Sequence, residues 1–374
     1  MNNITSELAA IAQNPLQRAR RWKEANKGVI GCFPMHVPEE IIHASGVLPI
    51  TLLGSNETVT ASDKYLQPFL CHVARSTLDM ALTGKLDFLD GIVFPDVCDI
   101  VQLLPDIWNI HYPMPFQHTV VVAGKFNSAS SQQYLVSEYN ALRKSLENFT
   151  GKQITEDDLR QSISIYNYNR DLLHKLYRIR MDNPGILSAR EIATLVMTSM
   201  LMPKEEHSEL LLEVLDKAGD KKKSMHGSTR LIISGSPCVQ PEWEVLDLIE
   251  KLGAVVVNDD LYAGRRYFNT KVSDSLPPIE ALVAHYSTDV PCPTKHNQDK
   301  EYAENIVNLA KEAKAHGVIM LMVKYCEPYS FAYPETREEL ARQGIPHLMI
   351  EIEPPTSIEL IQTQIQTFIE TLEG

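Results

Sequence analysis

No two of the six cysteines, at positions 32, 71, 98, 238, 292 and 326, form a CxxC pair. The chain therefore carries no local cysteine motif. A reducing cytosol disfavours structural disulfides, which leaves free thiols or metal ligands as the open options. Nowhere do about 18 consecutive apolar residues occur, and the opening MNNITSELAAIAQNPLQRARRW holds an acid and no long apolar run. We expect a soluble, cytoplasmic protein with no membrane partner. Basic residues are in the minority: 35 Lys and Arg stand against 48 Asp and Glu, giving a formal net charge of -13. That balance excludes broad binding to nucleic acid, because phosphate backbones are gripped by clustered Lys and Arg. A nucleotide-like ligand needs only a local basic patch and stays open. HExxH, GxSxG and GxGxxG are also missing, so zinc peptidase, serine hydrolase and dinucleotide oxidoreductase readings have little support.

What is present is an ordinary globular composition, 44% hydrophobic and 22% charged over 374 residues. One hydrophobic core usually stops growing at about 250–300 residues, so two or more lobes are expected. GVIGCF and VLPITLL read as buried strands around a helical PEEIIHASG segment, with Gly46 as its C-cap. CHVARSTLDMALTG suits a helix ending at Gly84, GIVFP a strand, DVCDIVQLLPDIW a helix and PFQHTVVVA another strand. Such alternation predicts a parallel sheet.

The pattern then changes. YLVSEYNALRKSLENF, TEDDLRQSISIYNYNRDLLHKLYRIR and SAREIATLVMTSML carry helical periodicity, Thr155 with Asp158 fits a capping signal, and DKAGDKKKSMHGS reads as a surface linker. Alternation resumes with RLIISGSP, EWEVLDLIEKLG and AVVVNDD. It closes through KEYAENIVNLAKEAKAHG, GVIMLMVKYC, ETREELARQG, IPHLMIEI and SIELIQTQIQTFIETL. We divide the chain into an N-terminal α/β lobe (1–131), a helical insert with linker (132–225) and a C-terminal α/β lobe (226–374). Each lobe is expected to have a Rossmann- or flavodoxin-like parallel sheet.

The lobes repeat at a telling place. GIVFPDVCD (91–99) and GVIMLMVKYCE (317–327) each run from Gly through an apolar strand to a Cys followed by an acid. The carboxyl ends of strands near a topological switch are where ligands sit in open α/β sheets, which puts Cys98 and Cys326 in that zone. Cys71 opens a predicted helix, where the dipole and free amides favour a thiolate. Two facing lobes would bring three thiolates to an iron–sulfur cluster in the interlobe cleft, its fourth iron without a cysteine. Spacing alone also permits the plainer outcome, three ordinary buried cysteines.

The run PEEIIHASGVLP, then YLQPFLCHVARSTLDMALTGKLDFLDGIVFPDVCDIVQLLPDIW, VPCPTKH and AHGVIMLMVKYCEPYSFAYPETREELARQGIPHLMIEIE, resembles the 2-hydroxyacyl-CoA dehydratase and benzoyl-CoA reductase family over nearly the whole chain. QPFLCHVARSTL, LDFLDGIVFPDVCD and VPCPTKH are most similar to the smaller subunits of the ATP-dependent (class I) benzoyl-CoA reductases. The resemblance implies a 4Fe-4S cluster, as a single or double cubane, bound by Cys71, Cys98 and Cys326. It implies a heterodimer with a homologous cluster-binding subunit, an acyl-CoA thioester substrate and an electron-donating, ATP-hydrolysing iron–sulfur activator, since this sequence has no GxxxxGK[ST] loop. A reductase would deliver a low-potential electron to an aromatic thioester. A (R)-2-hydroxyacyl-CoA dehydratase would use the same start to expel hydroxide through a ketyl radical.

His36 and Glu39, after the first strand, are the candidates for a proton relay, although a Glu near a helix start also simply suits the dipole. His72 follows Cys71 and reads as a core or solvated histidine. Cys32 is offset from the family's cysteine loop and is left out of the ligand set. Cys292 and Lys295 in PCPTKH have no derivable role, and packing is the default for Cys292 and Cys238. Gln364 stands where the family has Arg, which weakens any carry-over of charge contacts there. A non-catalytic electron-transfer or scaffold subunit, or a small-ligand binding protein without a cluster, is the alternative from another class.

Overall fold

The computed structural model describes residues 8, 10–125, 128–219, 228–236, 243–288, 291–295, 302–354 and 356–374. In the first lobe α1 (Gln17–Glu24) precedes β1 (Val29–Cys32), α2 (Glu39–Ala44), β2 (Leu48–Thr51), α3 (His72–Leu82), β3 (Gly91–Asp96), α4 (Asp99–His111) and β4 (Phe116–Val121). The strands form a parallel sheet of order β2-β1-β3-β4. Ile30, Ile50, Ile92 and Phe94 on its strands and Trp108 on α4 are fully buried, as expected where helices cover both faces of a parallel sheet. Gly46 and Gly84 follow the ends of α2 and α3 with positive φ, the left-handed step that closes a helix.

Four helices follow: α5 (Ala129–Thr150), α6 (Glu156–Asp182), α7 (Ala189–Ser199) and α8 (Lys204–Gly219). Thr155 Oγ1 accepts from the Asp158 amide at 3.1 Å and Asp158 Oδ2 accepts from the Thr155 amide at 2.9 Å, so the cap read from sequence closes as a reciprocal box. Most of the expected linker, residues 220–227, lies outside the described residues.

The second lobe runs β5 (Arg230–Gly235), α9 (Trp243–Lys251), β6 (Val255–Asp260), α10 (Pro278–Thr288), α11 (Tyr302–Glu312), β7 (Gly317–Val323), α12 (Glu327–Arg342), β8 (His347–Ile352) and α13 (Ile358–Glu373). Its sheet is again parallel, of order β6-β5-β7-β8. Both lobes thus use one strand plan. The switch point falls between β1 and β3 in the first and between β5 and β7 in the second. At the second, Gly235 has φ +133°, and a Cβ there would lie 1.8 Å from the Leu321 carbonyl oxygen, so only glycine lets β5 approach β7 this closely.

Two features tie the lobes together. Helix α6, 27 residues and therefore about 40 Å long, carries Arg170, paired at 2.5 Å with Glu40 of the first lobe, and Arg180, paired at 2.6 Å with Asp259 of the second. The chain after β6 also returns to the first lobe. A π turn (Tyr262–Arg266) leads into a segment whose Val272, Ile279, Leu282 and Val283 sit in the first-lobe core.

Candidate functional site

The loops at both switch points open on one cavity of about 680 Å³. Phe33, Pro34 and Met35 reach it from the end of β1, Val97 and Cys98 from β3, Ser236 from β5, and Val323, Tyr325 and Cys326 from β7; Cys71 completes the wall. Cys71, Cys98 and Cys326 are the N-cap residues of α3, α4 and α12, so each thiol sits where first-turn amides are free of intrahelical partners. The structure brings all three sequence-selected cysteines to one place. The five described cysteines are free, and Cys238 lies outside the described residues.

Burial dominates these thiols. It pushes Cys71 up to about 12 and Cys326 to about 11, and raises Cys98, against the opposing pull of amides such as those of Ala74, Val101 and Tyr329. The sequence suggested that the helix dipole would leave Cys71 a thiolate; in this apolar wall desolvation is the larger effect and favours the neutral thiol. Among the described residues no three His, Cys, Asp or Glu side chains close on a single ion position. The three cysteines line one cavity without closing on one ion position.

A second cavity, of about 750 Å³, meets the first at Met35 and is lined by charge. His36 and Glu39 both lie on it, with Arg170, Lys204, Arg266 and Tyr267. The Glu39 carboxylate, buried at the first turn of α2, accepts from Thr51 Oγ1 at 2.9 Å and from Tyr267 Oη at 2.6 Å, with Lys204 Nζ at 3.5 Å. Lys204 Nζ in turn donates to Tyr267 Oη at 2.5 Å and to the Ser199 carbonyl, and lies over the rings of Tyr166 and Tyr267. Burial lowers the Lys204 pKa, Glu39 opposing it and Arg170 adding to it. Burial works to raise the Glu40 carboxyl, but the Arg170 guanidinium and His285 outweigh it and hold it below the usual carboxylate range. Arg266 donates to Asp260 Oδ1 at 3.1 Å and to the Pro291 carbonyl at 2.6 Å.

Backbone strain gathers here. Of five described non-glycine residues with positive φ, Met35, His36 and Tyr325 line the two cavities. Such conformations persist only where the surroundings over-determine them. His72 turns away, its Nε2 donating to the Ser55 carbonyl at 2.6 Å. Cys32 is buried in the first-lobe core and lines neither cavity. Cys292 faces the polar cavity, and exposed Gln364 on α13 faces neither. Lys204, Tyr267, Arg170 and Arg266 went unread in the sequence. The one signal, and only for Arg170 and Lys204, was charge at buried positions of α6 and α8.

Twin parallel-sheet lobes with thiols at both switch points define a class that the sequence comparisons also find. The chain belongs to the 2-hydroxyglutaryl-CoA dehydratase, D-component family, whose model matches residues 34–372. It is 29% identical over 362 residues to one of the subunits of the benzoyl-CoA reductase of Thauera aromatica, covering 95% of this chain and 94% of that protein. To the (R)-phenyllactyl-CoA dehydratase beta subunit of Clostridium sporogenes it is 27% identical over 364 residues, covering 97% and 96%. To the beta subunit of the (R)-2-hydroxyglutaryl-CoA dehydratase of Acidaminococcus fermentans it is 26% identical over 378 residues, covering 99% of each. These relatives are subunits of enzymes acting on CoA thioesters. Among the described residues of this chain, no helix is long and apolar enough to cross a membrane.

Proposed function

We propose that this chain is the iron–sulfur subunit of an ATP-dependent, anaerobic benzoyl-CoA reductase type enzyme, holding a 4Fe-4S cluster through Cys71, Cys98 and Cys326. The observation that carries this reading is the convergence of those three helix-capping thiols, from both lobes, on one cavity. The donor set fits in kind: three soft sulfur ligands, amides that hydrogen-bond to them, and largely apolar walls. When bound, the cluster supplies one-electron transfer at low potential.

The chain's own residues supply placement and protons. Phe33, Val97 and Val323 give apolar walls suited to an aromatic ring, and Met35 separates it from the charged cavity. Reduction of a ring consumes protons as well as electrons. Lys204 Nζ donates to Tyr267 Oη and Tyr267 Oη donates to Glu39 Oε2, a hydrogen-bonded chain that would carry a proton to the carboxylate on the wall of the charged cavity. His36 faces the same space as a second proton donor. Partners in this reading are a homologous cluster-binding subunit and an ATP-hydrolysing iron–sulfur activator.

The charged cavity favours a second reading, a subunit of a (R)-2-hydroxyacyl-CoA dehydratase, because Arg170, Lys204 and Arg266 suit a hydroxylated, polar acyl group. Incubating the anaerobically purified complex with activator, ATP and reductant separates the two. A cyclic diene from benzoyl-CoA supports the reductase, and an enoyl-CoA from a 2-hydroxyacyl-CoA supports the dehydratase. Iron without either product would leave an electron-transfer or scaffold subunit. A colourless, iron-free protein prepared under strict anoxia would overturn the cluster itself.

A further inference from the structure

The turn Cys292–Lys295, closed by the Lys295 amide donating to the Cys292 carbonyl at 2.9 Å, sends its side chains three ways. Cys292 enters the charged cavity, Thr294 enters the thiol cavity, and Lys295 lies across the carboxyl edge of the first sheet. There Lys295 Nζ donates at 3.0 Å to the Asp96 carbonyl, at the end of β3, and at 3.0 Å to the Val122 carbonyl, just past β4. Asp96 is two residues before Cys98, so one ammonium both ties down the Cys98 loop and stands beside the thiol cavity. Lysine suits this: it is a compact point charge with several donors that can bridge carbonyls converging at different angles.

We propose that Lys295 is a positioning residue that clamps the Cys98 loop and raises the reduction potential of the group held by Cys71, Cys98 and Cys326. This rests on the cluster reading above. Each electron added to a thiolate-bound cluster makes it more negative, and a fixed cation nearby stabilises the reduced form more than the oxidised one. Cys98 and Lys295 each feel the other's charge.

The test uses the complex as purified under anoxia, in wild type, Lys295→Gln and Lys295→Arg, with iron assay and a potentiometric titration followed by electron paramagnetic resonance. Gln keeps a donor for the two carbonyls and removes the charge, whereas Arg keeps the charge. We expect wild-type iron in both variants. In Lys295→Gln the reduced-to-oxidised ratio at fixed poise should fall about tenfold, a midpoint more negative by about 59 mV for a one-electron couple. In Lys295→Arg the midpoint should stay at the wild-type value. Loss of iron from Lys295→Gln alone overturns the assignment, because the lysine is then needed to hold the group rather than to set its potential. An unchanged or more positive midpoint in Lys295→Gln overturns it, as do equal shifts in both variants or loss of iron from both. Wild type without iron would instead sink the cluster reading, a separate and visible failure.

Discussion

The two cavities that meet at Met35 are built on opposite rules. On one side three ionisable groups of a single kind stand in a largely apolar wall, and burial outweighs the pull of the nearby Lys295 ammonium on Cys98 and drives all three toward the neutral thiol. On the other side acids face bases: Glu39 meets Lys204, Glu40 meets Arg170 and Asp260 meets Arg266. There burial strengthens each attraction, and the Glu40 carboxyl is held ionised to lower pH than in water. One cavity holds its ionisable groups neutral, while the other is already charged and internally balanced.

That contrast breaks most sharply at the thiols. Replacing Cys71, Cys98 or Cys326 with Ala should each strip most of the iron from a complex carrying about four irons per cluster, whereas Cys32→Ala, Cys292→Ala and Cys238→Ala should keep it; iron assay under anoxia decides. Because the three thiols are protonated at neutral pH, inserting the cluster should release three protons, read in weakly buffered medium. On the charged side, Glu39→Gln should lower turnover by about 10²–10⁴-fold with iron content unchanged, as expected of a broken proton relay. Equal losses of turnover and iron would instead make Glu39 a structural support for the thiol cavity.

Glu40→Ala tests the balance itself, and should cost about 3–5 kcal/mol in denaturant unfolding by leaving Arg170 buried without its carboxylate. Its pH dependence has a definite sign. The folded-state carboxyl titrates below the reference value of 4.5, so its contribution is full above that pH and is lost as pH falls through the folded-state value. Unfolding free energy should therefore drop on acidification below pH 4.5 and do so less steeply in Glu40→Gln. The smallest effect is expected for Tyr267→Phe. It removes one hydrogen bond to Glu39 and one from Lys204, and a loss of about 1–3 kcal/mol follows from the unsatisfied partners. A shift of the acid limb of the rate profile alongside it would mark Tyr267 as part of the proton path.

Each wall of the thiol cavity was legible in the sequence because its makers are local, whereas the meeting of the two walls was implied only by the family resemblance. A Gly, an apolar strand and a Cys before an acid define a strand end and a helix cap within eleven residues or fewer, and GIVFPDVCD and GVIMLMVKYCE announce it twice. The capping box at Thr155 was readable for the same reason. The charged cavity was not. Tyr267 lies 228 positions from Glu39 and Arg170 lies 130 from Glu40, so nothing in either neighbourhood names its partner. The return of residues 262–288 to the first lobe was hidden too, because a π turn carries no periodic signature. The protonation of Cys71 was misjudged because a helix terminus can be read from sequence and the dielectric around it cannot.

Helix α6 behaves as a calliper locked at one setting. Its two arginines, ten positions and about 15 Å apart along the axis, are bolted to Glu40 on one side of the cleft and Asp259 on the other. Spreading the jaws would strand a guanidinium or a carboxylate in an oily interior. The two ion pairs thus hold the lobes at one spacing around the Cys71, Cys98 and Cys326 thiols.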